Sequence, residues 1–500
     1  MSIPFQPGHL VMVDIEGTRL TPETAAFLRE HHIRAVCLFR KNLGSEVEVR
    51  QLLSDLREVL GPRALIGIDQ EGGSVVRATF LPQAPAAMAL GAIEDTEAAE
   101  QAAEQVGAAV ARGLRSLGIN WNFAPVLDVN NNPANPVIAE RSFGADPHRV
   151  ARLAGAWMRG SLSEGVACCV KHFPGHGDTH VDSHHALPSV DKSLAELEAL
   201  ELVPFRALAA HAPAVMTAHI VYPQLDAEHP ATLSRRILGG ILRESIGYRG
   251  VVISDALMMK AIHERYGHAR AAVMTLQAGA DMPLAQGSRE EQAAAIRAIQ
   301  DAIFEGDLLP EQVQASAARL DELARRYPAA PAAYDDAQRR ADDILMRATW
   351  RQGLCVLGAT DALPGGLPLR VVTQSRVDCD GVSEAGLAGA DVRALFPEAA
   401  DIEMQLVPDL LVFEPASLPD DGRALVIVSN HRRRYGANAG HWRPALHVAI
   451  WNPFQVLDIP APSVITWGYA DGALRALQGW LAGRGAATGV PPVPLPTRMP

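Results

Sequence analysis

Residues 166–188 read VACCVKHFPGHGDTHVDSHHALP, a mostly apolar run that passes directly into a polar loop. Val166–Phe173 is short and lacks strict alternation, as expected for a parallel strand that is buried on both faces. Pro174 lacks a backbone N–H, and Gly175 and Gly177 weaken any helix, so a loop is predicted after the strand. The stretch therefore predicts a buried strand whose carboxyl end carries a dense set of ionisable side chains.

The same order of apolar run, polar loop and helical stretch recurs through the first two-thirds of the chain. A helical stretch such as Thr96–Leu117 ends at Gly118, a residue suited to closing a helix. Eight such units fit a closed (β/α)8 barrel of the TIM type, although counting strands does not by itself exclude an open doubly wound sheet. The eight apolar runs are Leu10–Ile15, Ala35–Phe39, Leu65–Asp69, Trp121–Val126, Val166–Phe173, Val215–His219, Val251–Asp255 and Ala278–Leu284.

The pattern breaks at a stretch rich in proline and alanine, residues 327–335, after which a second set of apolar runs begins. We predict an α/β architecture in which a barrel catalytic domain over residues 1–327 is followed by a linker and helix over 328–350. A smaller α/β sandwich domain is predicted over 351–490 and a Pro-rich tail over 491–500. The expected strands of the second domain are Leu354–Leu357, Leu369–Val372, Leu410–Phe413, Leu425–Ser429, Val448–Trp451 and Val464–Trp467.

The second domain shows no Gly-rich phosphate loop and no cluster of ionisable groups that would indicate catalysis. Its one basic run, His431–Arg434, is interpreted as a solvated loop. The tail holds five prolines between Gly489 and Pro500, which is typical of extended chain.

Composition narrows the classes of function. Apolar residues make up 48% of the chain, enough for a large core, yet no run reaches the roughly 20 apolar residues of a membrane span. The formal charge of −12 argues against nucleic acid as a partner, since phosphate binding favours a basic surface. Five cysteines without a pattern do not indicate a disulfide framework, and the start MSIPFQPGHL shows no secretory signal. We expect a cytoplasmic protein that acts on a small molecule, with no membrane partner.

Ionisable side chains stand where several apolar runs end. In a barrel the carboxyl ends of all strands meet at one rim, where active sites are built. Each residue alone is equally consistent with a cap or a hydrogen-bonded core group. Five on one rim predict a shared pocket formed by Asp69, Lys171, His172, His219 and Asp255.

Three hypotheses address the histidine-rich loop. The first is a metal site, because His172, His176, His180 and His184 recur every four residues; the interruption by Pro174 and the glycines removes the helix that would align them. The second is a structural loop whose histidines hydrogen-bond to backbone, an interpretation that suits His176 and His180.

The third hypothesis is acid–base catalysis. Asp182 and His184 are close enough for a turn to place the carboxylate on one imidazole nitrogen, which fixes the tautomer and leaves the other nitrogen to exchange a proton. Asp255, at the end of the run VVIS, is the best candidate for a nucleophile, with helix N-capping as its alternative role.

Five motifs resemble family 3 of the glycoside hydrolases, and within it the β-N-acetylglucosaminidase branch. The second domain resembles that of the family only weakly. The motifs are KHFPGHGDTHVDSH (Lys171–His184), IDQEGGSVVR (Ile68–Arg77), NFAPVLDV (Asn122–Val129), ERSFG (Glu140–Gly144) and SDALMM (Ser254–Met259).

The resemblance implies a role for each matching residue. Asp255 matches the catalytic nucleophile, His184 the acid/base and Asp182 its dyad partner. The branch works by retaining double displacement without a metal or other cofactor. The residues that match sugar-holding positions of the −1 subsite are Asp69, Arg77, Arg141, Lys171 and His172.

The resemblance also sets the expected substrate and the alternatives. It implies removal of terminal β-linked GlcNAc from an oligosaccharide or muropeptide, as in cell-wall recycling. Many family members take a glutamate acid/base from the second domain; because the dyad here lies in the barrel, the second domain is not expected to supply catalysis. A neutral imidazole does not repel an anion, so a GlcNAc β-glycoside phosphorylase is one alternative. A non-catalytic sugar-binding barrel is the other.

Overall fold

Eight short parallel strands close into a barrel in the first part of the chain. The structure is a computed structural model that describes residues 6–182, 187–358, 367–378, 382–397, 399, 401–410 and 417–495. Each strand pairs with the next along the chain, and Met12 of the first lies opposite Leu284 of the last, which closes the ring. The predicted (β/α)8 barrel is confirmed and the open sheet is wrong. The strands are β1 (Met12–Asp14), β2 (Ala35–Leu38), β3 (Leu65–Ile68), β4 (Trp121–Asn122), β5 (Ala167–Phe173), β6 (Ala214–Thr217), β7 (Val251–Ala256) and β8 (Met282–Leu284).

Helices surround the barrel and pack on its apolar outer face. Two of them, Thr96–Leu117 and Pro147–Ser163, approach so closely that a Cβ on Gly107 would lie 2.0 Å from the carbonyl oxygen of Trp157. A ten-residue π-helical segment, Arg236–Ser245, follows β6. The α-helices of this part are α1 (Pro22–Glu30), α2 (Glu46–Leu60), α3 (Ala87–Gly91), α4 (Thr96–Leu117), α5 (Pro147–Ser163), α6 (Leu194–Ala199), α7 (Leu202–Leu208), α8 (Lys260–Tyr266), α9 (His268–Ala278), α10 (Arg289–Glu305) and α11 (Pro310–Arg326).

The rest of the described chain builds a six-stranded sheet with helices α12 (Asp336–Gln352) and α13 (Asp471–Leu481). Its strands are β9 (Cys355–Leu357), β10 (Leu369–Gln374), β11 (Ile402–Val407), β12 (Ala424–Ser429), β13 (Leu446–Ala449) and β14 (Ser463–Ile465). Their order in the sheet is β9-β14-β13-β12-β10-β11, and only the β9–β14 pair is antiparallel.

One strand of this sheet was not predicted. Ile402–Val407 reads IEMQLV and forms the partly exposed edge strand β11. Its alternation of apolar and polar residues fits a strand with one solvated face, whereas the buried runs were sought by continuous hydrophobicity. Most of the expected strand Leu410–Phe413 lies outside the described residues. The domain boundaries themselves stay a prediction.

The second domain packs directly on the barrel. Trp350, Phe454 and Trp467 form one apolar cluster with Met88 and neighbouring alanines of α3. The chain then returns to the barrel after α13, where the backbone N–H of Val490 donates to the carbonyl of Ala92 at 2.8 Å. Burial of large aromatic side chains at this boundary stabilises the contact, since each removes roughly 150–250 Å² from water. The two halves therefore share a core.

No helix in the described part of the chain is both long and apolar enough to cross a membrane.

Candidate active site

A cavity of about 480 Å³ lies at the carboxyl ends of the barrel strands. Apolar walls come from residues such as Phe39, Phe123 and Met216, and charged and polar side chains complete the lining. Six of the eight residues predicted for the site line this cavity: Asp69, Arg77, Arg141, Lys171, His172 and Asp255.

A buried glutamate, Glu71, organises the polar side of the cavity. It accepts two hydrogen bonds from Arg141, at 2.9 and 2.8 Å, and the Lys171 ammonium lies 2.6 Å from its Oε1. Lys171 also donates to Asp69 at 2.8 Å. Although burial opposes ionisation, Arg141 and Lys171 outweigh it and hold the pKa of Glu71 far below its usual range. The result is a rigid array of alternating charges at the rim of β3 and β5.

Arg141 is held firmly within this array. Three of its N–H groups donate to Glu71 and to the carbonyl of Val137 at 3.1 Å. Arg141 therefore fixes Glu71, and its role in holding the sugar stays a prediction. Lys171 is fixed from two sides; burial lowers its pKa, but Asp69 and Glu71 more than reverse that effect and keep the amine protonated.

A second buried carboxylate, Asp128, orients the histidines that follow β5. Its Oδ2 lies 2.7 Å from His172 Nδ1, and its Oδ1 accepts from the backbone N–H groups of His172 at 3.1 Å and His176 at 2.6 Å. Burial would raise the pKa of Asp128, but His172 and His176 reverse this and lower it. Because the ionised carboxylate only accepts, His172 Nδ1 donates to it, and Nε2 is the other ring nitrogen of a residue that lines the cavity.

His176 also lines the cavity, as a neutral side chain. Burial, followed by the neighbouring His172, lowers its pKa to about 4. Its Nδ1 lies 2.9 Å from the Thr179 hydroxyl. The residues 174–182 are not helical, so the four-residue spacing of histidines does not stack them on one face.

Asp255 sits near the end of β7, half-buried, and lines the cavity opposite the charged array. Its Oδ1 accepts from the backbone N–H of Ala256 at 2.8 Å. The next helix, α8, begins after Met259, so Asp255 is not the N-cap that its position in the sequence also allowed.

The predicted rim residue His219 has a different place. It is fully buried, does not line the cavity, and lies between Thr232 Oγ1 at 2.8 Å and the carbonyl oxygen of Ala256 at 3.0 Å. Since a carbonyl only accepts, His219 Nε2 donates to it. His219 thus supports the strand end that carries Asp255.

The second domain reaches the part of this rim that is predicted to hold the sugar. Val382 lines the cavity, and its carbonyl accepts from Arg77 at 2.9 Å. Glu384 accepts from Arg77 at 2.9 Å, while Asp69 lies 3.7 Å from the same guanidinium. Arg77 therefore joins the two domains at the edge of the cavity.

The dyad side of the site also depends on the second domain. Asp182 is buried, and its Oδ2 accepts from Arg432 at 2.7 Å. The interpretation of His431–Arg434 as a solvated loop is wrong for Arg432, which is 8% exposed, because this guanidinium inserts against the barrel. His184, the predicted acid/base, lies outside the described residues, and Asp182 is not among the cavity-lining residues.

Among the residues that the structure describes, no group of three or more His, Cys, Asp or Glu side chains is arranged to hold a metal ion. His184 and His185 are not covered by that statement. The absence of a required metal stays a prediction.

Sequence reasoning missed four residues of the site. Glu71 and Asp128 lie inside quoted motifs, and a signal for them was available: each is an acidic residue next to a buried apolar run, where an unpaired charge would be costly. Glu384 and Arg432 had no such signal, since they lie 307 and 250 residues beyond Arg77 and Asp182, the barrel residues with which they pair. Only the packing of the domains reveals their role.

The Asp255 carboxylate and the paired acidic and basic groups thus line one cavity of the barrel. Residues 6–323 match the Glycosyl hydrolase family 3 N terminal domain, and the chain belongs to that family. The chain is 41% identical over 289 residues to a β-hexosaminidase of Neisseria meningitidis serogroup C, which is 57% of this chain and 80% of the relative.

Solved structures agree with this assignment. A glycoside hydrolase family 3 β-N-acetylglucosaminidase from Paenibacillus superposes with a TM-score of 0.87 at 33% identity and covers 98% of both chains. A Neisseria gonorrhoeae protein solved in complex with N-trifluoroacetyl-D-glucosamine superposes with a TM-score of 0.59 at 34% identity. That match covers 98% of the gonococcal chain but 69% of this one. The two-domain arrangement therefore resembles the Paenibacillus enzyme.

Proposed function

We propose that the protein is a retaining β-N-acetylglucosaminidase that removes terminal β-linked GlcNAc from an oligosaccharide. The observation that carries the proposal is the position of Asp255 on the wall of a cavity that is also lined by Asp69, Arg77, Lys171 and His172. Its support is the likeness to a β-N-acetylglucosaminidase over 98% of both chains.

In the proposed first step, the sugar lies against Asp69, Lys171 and His172 while Asp255 attacks its anomeric carbon. The C–O bond to the leaving group breaks as His184 transfers a proton to the departing oxygen, giving a glycosyl-Asp255 ester. Asp182 stabilises the imidazolium before transfer. The role of His184 rests on the motif.

In the second step, neutral imidazole of His184 takes a proton from water, and the water oxygen bonds to the anomeric carbon. The ester bond to Asp255 breaks and the sugar leaves with its original configuration. The charged array around Glu71 is held in place throughout, so positioning requires little rearrangement during the reaction.

We further propose a cytoplasmic role in trimming GlcNAc-terminated muropeptides. The resemblance supports this substrate class, and no partner beyond the carbohydrate is needed by the mechanism. A purified protein incubated with muropeptides of defined ends should release only terminal GlcNAc, detected by mass spectrometry.

A panel of p-nitrophenyl glycosides tests the activity. We expect turnover of the GlcNAc β-glycoside at least 10²-fold above the glucoside and xyloside, with β-GlcNAc as the first product by NMR. Brief incubation with a fluorinated GlcNAc glycoside bearing a good leaving group should add one sugar mass to the peptide containing Asp255. No turnover of any glycoside would favour the sugar-binding alternative, and loss of activity with EDTA would favour a metal hydrolase.

Phosphorolysis is tested in the same assay by adding inorganic phosphate. Hydrolysis predicts GlcNAc as the product at all phosphate concentrations. GlcNAc-1-phosphate as the main product would make the protein a phosphorylase that uses the same residues.

A further inference from the structure

We propose that Arg432 of the second domain is a positioning residue for proton transfer, acting through the carboxylate of Asp182. The proposal rests on the proposed function, in which Asp182 is the dyad partner of His184. It assigns the second domain a part in the reaction without contact between that domain's arginine and the sugar.

The contact itself is short and enclosed. Arg432 donates to Asp182 Oδ2 at 2.7 Å, and the two side chains are 9% and 7% exposed. Removing water from two charges is costly, and a buried pair is favourable only when its geometry is well satisfied. A surface cross-link between domains would not require this burial, so the pair is suited to fixing the carboxylate in one place.

The loop that carries Arg432 is held rigid within its own domain. Asn452 donates to the carbonyl of Arg432 at 2.7 Å, and Gln455 donates to the carbonyls of His431 at 2.8 Å and Arg433 at 2.7 Å. Three consecutive carbonyl groups are thus fixed by side chains of the segment after β13. Arg432 therefore approaches the barrel from a preformed support.

The loop is anchored again on its far side. Arg434 Nε and the backbone N–H of Tyr435 both donate to Asp458 Oδ2, at 3.1 and 3.0 Å. Arg433, between the two anchored arginines, is exposed. Arg432 is thus buried while its neighbour Arg433 is exposed, so the same substitution at Arg433 is a matched control.

Fixing Asp182 affects the reaction because the dyad has strict geometry. A carboxylate orients an imidazole only while it lies within hydrogen-bond distance of the ring, and small displacements of catalytic groups carry large rate penalties. Asp182 stands on the loop after β5, two residues before His184, and not on a strand. The guanidinium supplies the rigidity that a strand end gives to Asp255.

The gonococcal protein lacks a counterpart for part of this chain. A match over 69% of this chain cannot include the whole of both domains, although it covers nearly all of the gonococcal chain. A barrel of that kind must hold its loop without a second domain of this size. The dependence on Arg432 is therefore a property of the two-domain chain.

The test compares Arg432→Met, Arg432→Lys and Arg433→Met in the full chain with two substrates. Chitobiose has a poor leaving group that needs acid catalysis, whereas 2,4-dinitrophenyl β-GlcNAc releases a good leaving group without it. We expect Arg432→Met to reduce kcat/KM for chitobiose at least 10-fold more than kcat/KM for the aryl glycoside. Arg432→Lys should recover part of the loss, and Arg433→Met should match the wild type on both substrates.

A double-mutant cycle separates positioning from simple support of the fold. If Arg432 acts through Asp182, adding Arg432→Met to Asp182→Asn should change the chitobiose rate less than 2-fold. Thermal unfolding checks that each variant is folded, and the lysine variant replaces the methionine variant in the cycle if the latter does not fold.

The measurements separate failure of the Arg432 role from failure of the dyad and of the proposed function. Equal losses on both substrates by Arg432→Met, or losses that multiply with those of Asp182→Asn, would overturn the role of Arg432 while leaving the dyad intact. Absence of a substrate difference in Asp182→Asn would overturn the dyad, and the positioning role with it. A wild type inactive on both substrates would overturn the proposed function first.

Discussion

The two sides of the candidate site are held by different parts of the chain. On the sugar-holding side, Glu71, Lys171 and Arg141 satisfy one another within the barrel, close to the strand ends. On the dyad side, Asp182 stands on a loop and pairs with Arg432 of the second domain. Under the proposed function, we expect sugar binding to depend mainly on barrel residues, with Arg77 held from both domains, and proton transfer to depend on the contact between domains.

The largest expected effect on turnover is that of removing Asp255, the proposed nucleophile, because no other residue of the site can take over its role. Asp255→Ala should reduce turnover of both good and poor leaving groups by on the order of 10⁴-fold or more, because the covalent step is lost. Steady-state rates with the aryl glycoside measure this. The exposed Asp301→Ala on α10 should remain at the wild-type rate. Residual turnover above about 1% of wild type would mean that Asp255 is not the nucleophile.

Next in size is the loss of the charge at the centre of the sugar-holding array. Glu71→Gln leaves Arg141 and Lys171 buried without their shared carboxylate, so we expect destabilisation of about 3–5 kcal/mol in urea unfolding. Displaced sugar-holding groups should reduce kcat/KM by about 10²-fold on both substrates. The exposed Glu30→Gln is the control. A loss confined to the poor leaving group would contradict the division between the two sides.

The same array predicts how stability responds to acid. The folded state lowers the pKa of Glu71 below its unfolded value, because Arg141 and Lys171 outweigh the effect of burial. Its contribution is therefore fully present above about pH 4.5 and is lost as the pH falls toward the folded pKa. Urea unfolding of wild type and Glu71→Gln between pH 7 and 3 should show the difference in unfolding free energy shrinking with acid. A constant difference would show that folding does not lower the pKa of Glu71.

Much of the barrel could be predicted because its signal is local. Continuous apolar runs such as Ala35–Leu38 and Val251–Ile253 are required where helices cover one face of a parallel strand and the barrel core fills the other. The edge strand Ile402–Val407 escaped the same search because its apolar residues alternate with polar ones and the strand is only partly buried. A continuous apolar run is easier to detect in a sequence than an alternating one.

The site was predictable to the extent that its residues stand at strand ends. Asp69, Lys171 and Asp255 could be placed on one rim from topology alone. His219 shares that position yet turns away from the cavity, since rotamer and local packing decide where a side chain points. Arg432 lay beyond prediction because an arginine in a basic run is expected to be solvated, and only packing against the barrel places the Asp182 carboxylate beside it.

A smaller effect is expected where the second domain meets the sugar-holding side. Glu384→Gln weakens the pairing of Arg77 across the boundary but leaves Asp69 at 3.7 Å from the same guanidinium. We expect KM for both substrates to rise about 3- to 10-fold with kcat nearly unchanged, because a charge-assisted hydrogen bond contributes roughly 1–2 kcal/mol. Initial rates over a range of substrate concentrations separate the two constants. Asp391→Asn, exposed in the same domain, is the control, and a fall in kcat alone would place Glu384 on the dyad side instead.

The smallest effect should come from the support of Arg432 itself. Arg434→Met removes the pairing with Asp458 but keeps the contacts of Asn452 and Gln455 with the same loop. Partial loosening should therefore give a weaker form of the Arg432→Met result, about 2- to 5-fold on chitobiose and no change on the aryl glycoside, since a 1 kcal/mol change corresponds to roughly a 5-fold rate. Arg433→Met, one residue away and exposed, should give neither. Arg432 contacts Asp182, Arg434 contacts only the support of the loop, and Arg433 is exposed. A graded order of effects from Arg432 through Arg434 to Arg433 on one substrate would therefore tie proton transfer to the rigidity of this loop, and equal effects would break that link.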